Sequence, residues 1–302
     1  MRQLAVMALE ELAAPESVEP LIRALRDPDP TVRRLAAGVL EELGDARAVG
    51  PLVDALEDPV PQVRVAARTA LREFRSGEAT GPLIAALGRP ASEVREAAIL
   101  ALRELRDPRA VEPLKHCLRD PSAAVRREAV TALGYLRERT AVDALRESLR
   151  DGDASVRRLA IGALSFFNDP GLVADFAHAI DDTDWQVRRE ATIVLGRMGG
   201  REASSALVRA LDDEAWQVVK EAAAGVGQQR VAAVEPLVRL LSHTHSDVRK
   251  NAAVALGAIA ALEAVGSLTA LAHDDDVEVR KAARRALNDI AMAGRVVHSP
   301  GT

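Results

Sequence analysis

Six histidines and one cysteine bound the side-chain chemistry open to this 302-residue chain. His243, His245 and His273, with Asp274, Asp275 and Asp276, are the one grouping whose donor types suit a metal ion. Nothing in their spacing fixes a coordination geometry, and solvated polar turns account for them more simply. Cys117 shares a repeated position with Ala24, Ala55 and Ala86, so it reads as a small buried thiol and not as a nucleophile. The sequence has no glycine-rich phosphate loop, no zinc-spaced cysteine pair and no nucleophile elbow. No catalytic residue, cofactor or metal ligand is assigned, and the chain is expected to be non-enzymatic.

Binding is better represented than catalysis. The segments DTDWQVRREATIVL, from Asp182, and DEAWQVVKEAAAGV, from Asp213, hold both tryptophans of a chain that is only 2% aromatic. Trp185 and Trp216 stand two residues before a recurring Val, a position filled elsewhere by Pro30, Pro61, Ser92, Ala123, Ala154, Ser246 and Val277. Two residues after the same Val the chain reads Arg34, Val65, Glu96, then Arg127, Arg158, Arg189, Lys220, Lys250 and Lys281. On a helix these two positions project away from the apolar stripe. The two tryptophans and the six final basic residues are therefore the candidate partner-binding set. Adjacent Glu128, Glu190 and Glu221 are expected to neutralise the basic column incompletely, because neighbours in a helix do not face each other. Tyr135 and Phe166, ten residues after their Vals, are expected to pack between repeats.

These residues are positioned by a period. Val-Arg recurs at Val32, Val63, Val94, Val125, Val156, Val187, Val248 and Val279, with Val218-Val219 in the gap; the step is 31 residues except from Val218 to Val248, where it is 30. A fixed period in this range marks an array whose units bury their apolar faces against their neighbours. In one unit Val32, Ala36, Val39, Leu40 and Leu43 fall on a single helical stripe, with Asp29 to cap, Pro30 in the first turn and Gly44 to stop. A further helix follows Asp45, with Pro51 early enough to cost no hydrogen bond. Each unit is thus predicted to be a helical hairpin. An Asp five residues before the Val recurs with the Arg and predicts a ladder of charge-assisted bonds between repeats. Val219 interrupts that ladder, and the shortened GVGQQRVAA connection predicts a local change of twist. The array is expected to cover residues 1–292, opening on an unpaired second helix at 1–12 followed by nine hairpins, with a flexible tail over 293–302.

The repeated D-P-x-x-x-V-R-x-x-A and R-A-V-x-P-L strings resemble HEAT repeats of the bilin-lyase type, the PBS lyase HEAT-like repeats, over nearly the whole chain. The resemblance implies an all-α, right-handed superhelical solenoid whose second helices line a concave groove. It implies no single activity, because such repeats serve scaffolds, adaptors, lyase subunits and hydroxylases. The His-Glu dipeptides with which deoxyhypusine hydroxylase holds iron are absent here. The expected function is a protein-interaction scaffold that binds an acidic or extended partner segment. A bilin lyase subunit or pigment chaperone is the second reading, and nucleic acid on the basic column the third. A net charge of −5 weighs against nucleic acid. The lone cysteine and the charged start MRQLAVMALEELAAPES point to the cytoplasm. The apolar run Ala252–Ala272 is read as two buried helix faces meeting at a turn and not as a membrane span. The oligomeric state is left open.

Overall fold

The computed structural model describes residues 2–12 and 15–297, and all regular structure among them is helical. The chain divides into two compact units between Phe166 and Phe167. The first unit opens with α1 (Arg2–Leu12). Five hairpins follow: α2 (Val18–Ala24) with α3 (Pro30–Leu43), α4 (Val49–Ala55) with α5 (Pro61–Glu73), α6 (Thr80–Ala86) with α7 (Ser92–Leu105), α8 (Val111–Cys117) with α9 (Ala123–Leu136), and α10 (Val142–Glu147) with α11 (Ala154–Ser165). The second unit holds four: α12 (Val173–Ala179) with α13 (Trp185–Met198), α14 (Arg201–Ala210) with α15 (Trp216–Gln228), α16 (Val234–Leu240) with α17 (Ser246–Ala258), and α18 (Val265–Leu271) with α19 (Val277–Val297).

The local signals act as read. Asp29 accepts the Thr31 amide, Pro30 starts α3, and Gly44 ends it in the left-handed region at φ 61°. Asp45 caps a single 3-10 turn before α4 opens. The stripe of Val32, Ala36, Val39 and Leu40 is buried. The first helices contribute one fully buried large residue per hairpin: Leu21, Leu52, Leu83, Leu114, Leu145, Phe176, Leu207, Leu237 and Leu268. Within each unit the long second helices pack in order, one on the next. Each hairpin therefore completes its core only with a neighbour.

The ladder runs between repeats. Arg33 donates to both carboxylate oxygens of Asp58 at 2.6 and 2.9 Å, and to the Asp27 carbonyl oxygen at 2.8 Å. Arg95 with Asp120, Arg126 with Asp151, Arg188 with Asp213 and Arg249 with Asp274 repeat this bidentate geometry. One oxygen of each Asp also accepts an amide two residues on, as Asp58 does from Val60. Arg64 lacks the carboxylate rung because Arg89 stands where the next Asp would be, and it keeps its bonds to the Asp58 and Pro59 carbonyls.

One boundary differs from expectation. The last helix continues to Val297, beyond Met292, where the array was expected to give way to a tail; residues 298–302 lie outside the described residues. In α1, Val6 is buried while Leu4 and Met7 are exposed, so the helix uses only part of its apolar surface within the first unit. The run Ala252–Ala272 is broken by a turn between α17 and α18, and no helix among the described residues is long and apolar enough to cross a membrane.

Candidate functional site

The outward side of the second helices carries the expected basic column, but most of it is paired. In the second unit Arg189 lies 3.2 Å and Lys220 3.3 Å from the Glu221 carboxylate, Lys250 is 2.8 Å from Asp247, and Lys281 is 2.8 Å from Glu278. Neutralisation is thus more complete than the sequence reading allowed. For Lys250 and Lys281 the acid sits three residues earlier, a spacing that brings helical side chains together. In the first unit Arg127 and Arg158 are half-buried, and among the described residues the buried Nε of Arg158 has no hydrogen-bond partner.

The tryptophans open their helices in different surroundings. Trp185 is the first residue of α13 and 38% exposed, and the cap is already supplied by Asp184, which accepts the Gln186 and Val187 amides. Trp216 opens α15 half-buried, with its ring stacked on His245 at 4.5 Å between centroids and 21° between planes. His245 stands at the N-cap of α17, where Asp29, Asp153, Asp184 and Asp276 cap other helices, and it makes no side-chain capping bond. Sequence reasoning missed this partner. The available signal was an aromatic ring in a column otherwise rich in acids and small residues.

Farther along the same face, Val254 is 51% exposed and Ala224 is exposed. Between α15 and α17 lies a shallow depression of about 280 Å³, lined among others by Ala223, Gly227, Gln228, Asn251, Val254 and Ala255. It is narrow because Gly227 has no side chain: a Cβ there would meet Ala255 Cα at 2.8 Å. Asn251 spans the two helices by donating to the Lys220 carbonyl oxygen at 3.0 Å.

At the interrupted rung both partners have changed. Val219 is buried in place of the Arg, and His243 stands in place of the next Asp. His243 Nδ1 accepts the His245 amide at 3.1 Å, the bond that an Asp oxygen makes in other repeats. Burial, then His245 and Arg249, hold His243 below the usual histidine pKa, which keeps Nδ1 free to accept. The shortened connection is closed by Gln229, whose Nε2 donates to the Leu195 and Gly196 carbonyls while its Oε1 accepts from Ser204.

The conceivable metal grouping does not assemble. Asp274 is committed to Arg249, Asp276 caps α19 through the Glu278 and Val279 amides, and His243 is occupied as described. Among the described residues no three His, Cys, Asp or Glu side chains are placed to hold a metal ion. Cys117 is buried at the end of α8, and burial, with Asp120 nearby, pushes its thiol up to about 11. A thiol so raised is a poor nucleophile. Tyr135 and Phe166 bridge repeats as expected, but from an exposed position: Arg106 lies over the Tyr135 ring at 4.6 Å and Arg137 over the Phe166 ring at 5.0 Å.

Several solved structures are similar. A crystal structure of an engineered protein matches at 25% identity and TM-score 0.56, over 96% of this chain and 95% of that one. The Escherichia coli protein YIBA matches at 18% identity and TM-score 0.64, over 83% and 95%. Kap95p, which binds RanGDP, matches at 16% identity and TM-score 0.65, over 95% of this chain and 48% of its own. At these last two identities the likeness is one of fold. No curated protein matches the sequence significantly. The family of HEAT repeats matches residues 1–72, 49–133, 111–179, 149–226 and 221–288. With the hairpin period, the inter-repeat ladder and this match together, the chain belongs to the HEAT repeat family.

Proposed function

We propose that this chain is a non-enzymatic, cytoplasmic interaction scaffold that holds an extended segment of a partner protein along the second-helix face, around Trp185 and Trp216. The observation that carries this reading is Trp185: 38% exposed, at a helix start already capped by Asp184, and so not required by the core. Exposed tryptophan is the residue type most enriched among binding hot spots. Carboxylates of the partner compete with Glu221, Asp247 and Glu278 for the basic column, so an apolar group seated beside Val254 contributes more than charge. The finer assignment to bilin-lyase-type repeats rests on the D-P-x-x-x-V-R strings, and no residue in the chain selects a pigment.

The test compares partner recovery by wild type, Trp185→Ala and Trp185→Ala/Trp216→Ala. Binding should weaken at least tenfold in the double variant, about 1.4 kcal/mol, while the thermal midpoint of Trp185→Ala stays at the wild-type value. A stable double variant that retains every partner excludes this face. A low midpoint in Trp185→Ala alone makes the tryptophan a packing residue.

A further inference from the structure

A second exposed surface, in the first unit, lies at the C-terminal ends of α7, α9 and α11. Ten residues after the repeat Val, the chain reads Glu42, Glu73, Glu104, Tyr135, Phe166, Arg197, Gln228, Ala258 and Asp289. Only two neighbouring repeats place a ring there, and both rings are exposed, Tyr135 at 47% and Phe166 at 52%. Each carries a guanidinium from the preceding repeat. Arg106 donates to the Tyr135 hydroxyl at 2.5 Å and covers its ring, and Arg137 covers Phe166. Both arginines are exposed, and among the described residues neither is paired with a carboxylate, in contrast to Arg189, Lys220, Lys250 and Lys281.

The backbone sharpens the contrast. Arg106 and Arg137 occupy the helix-ending position in the left-handed region, at φ 52° and 55°, where other repeats place Gly44 and Gly199 but also Asn168, Arg230 and Ala260. Glycine adopts that conformation without strain and arginine does not.

We propose that Arg106, Tyr135, Arg137 and Phe166 form a docking edge for an extended acidic segment of a partner protein, built from other residues than the tryptophan site. Two guanidiniums held over rings present their remaining N–H groups to carboxylates, and the rings offer apolar contact beside them. Arg139, exposed on the same turn as Arg137, adds positive charge, while Asp107 beside Arg106 is taken by Arg109. Neighbouring helices lie about 10 Å apart, and an extended chain rises about 3.3 Å per residue. The edge is thus matched to acids at every third position.

The probe is a labelled peptide of about 12 residues with Glu at every third position and Leu between, compared with its Lys-for-Glu counterpart and with an oligothymidylate of similar length. Wild type should bind the Glu peptide in preference to both others. Arg106→Gly/Arg137→Gly should weaken that binding at least tenfold with an unchanged or higher thermal midpoint, whereas Trp185→Ala/Trp216→Ala should leave it intact. Failure to bind the Glu peptide, or equal binding by the glycine variant, overturns the proposal. Preference for oligothymidylate assigns the edge to nucleic acid instead. A lowered midpoint in the glycine variant makes the stacks turn supports and overturns it as well.

Discussion

Arg126 and Arg127 are adjacent, identical in type and both half-buried, yet they have different partners. Arg126 reaches Asp151 at 2.7 and 2.8 Å and the Asp120 carbonyl at 2.8 Å, whereas Arg127 lies on the outward face of α9. Arg126→Ala should leave the Asp151 carboxylate without its guanidinium and destabilise by about 1–3 kcal/mol, while Arg127→Ala should change stability by less than about 0.5 kcal/mol. Urea unfolding of both variants checks this, and equal losses would contradict the column assignment. His243 gives a second contrast, through pH. Its folded-state pKa is depressed, so its neutral form stabilises the turn above the unfolded value of about 6.5, and that contribution is lost as pH falls through the folded value. Wild type should lose stability between about pH 7 and 5, and His243→Asp, which restores an oxygen acceptor, should not. Parallel urea midpoints for the two proteins across that window would show that His243 does not titrate against folding. Of these residues the ladder Arg was legible in the sequence, because every repeat but the one with Val219 carries it. The pairing of Val219 with His243 was harder to see, since it appears only when both ends of one rung are compared.

Among the elements, helices, caps and hairpins could be read from period, Asp, Pro and Gly, since these signals act within a few residues. Packing distance could not, because it depends on what two helices place opposite each other. The glycines show this. Gly38, in α3, has nothing within 4 Å of where a Cβ would stand, whereas a Cβ on Gly227, in α15, would meet Ala255 Cα at 2.8 Å. Both look alike in sequence, each inside a helix. Gly38→Ala should stabilise by about 0.5–1 kcal/mol through helix propensity. Gly227→Ala gains the same propensity but must push α17 away, and should destabilise by about 1–3 kcal/mol. Thermal midpoints moving in the same direction for both would show that helix approach is not the limiting factor at Gly227. The candidate site divides along the same line. The outward columns were legible from helical angles, but the neutralising acids and the Trp216–His245 stack depend on the geometry of neighbouring repeats.

At the scale of the whole chain, a repeat array has no single centre, and its stability is close to a sum of hairpins and the interfaces between them. Acid should therefore act unevenly. In the first unit burial alone would raise Asp58, Asp120 and Asp151, but their ladder arginines and turn amides outweigh it and leave each below the ordinary carboxylate value. Asp107 is held far below that value by Arg109, with further bonds from its own turn and Thr80. In the second unit Arg249 lowers the ladder carboxylate of Asp274 in the same way. A depressed carboxylate stabilises the fold above its unfolded value, near 4, and the contribution is lost as pH falls through the folded value. Of the bidentate rungs described above, those of Asp58, Asp120 and Asp151 fall in the first unit and those of Asp213 and Asp274 in the second, so below about pH 4 the first unit forfeits more of its inter-repeat bonding. Hydrogen exchange measured from about pH 4 downward should show protection failing first in α3 to α11 and later in α13 to α19, after correction for the intrinsic acid rate. The reverse order, or simultaneous loss in both units, would mean that the apolar interfaces and not the carboxylate rungs set the acid limit of the array.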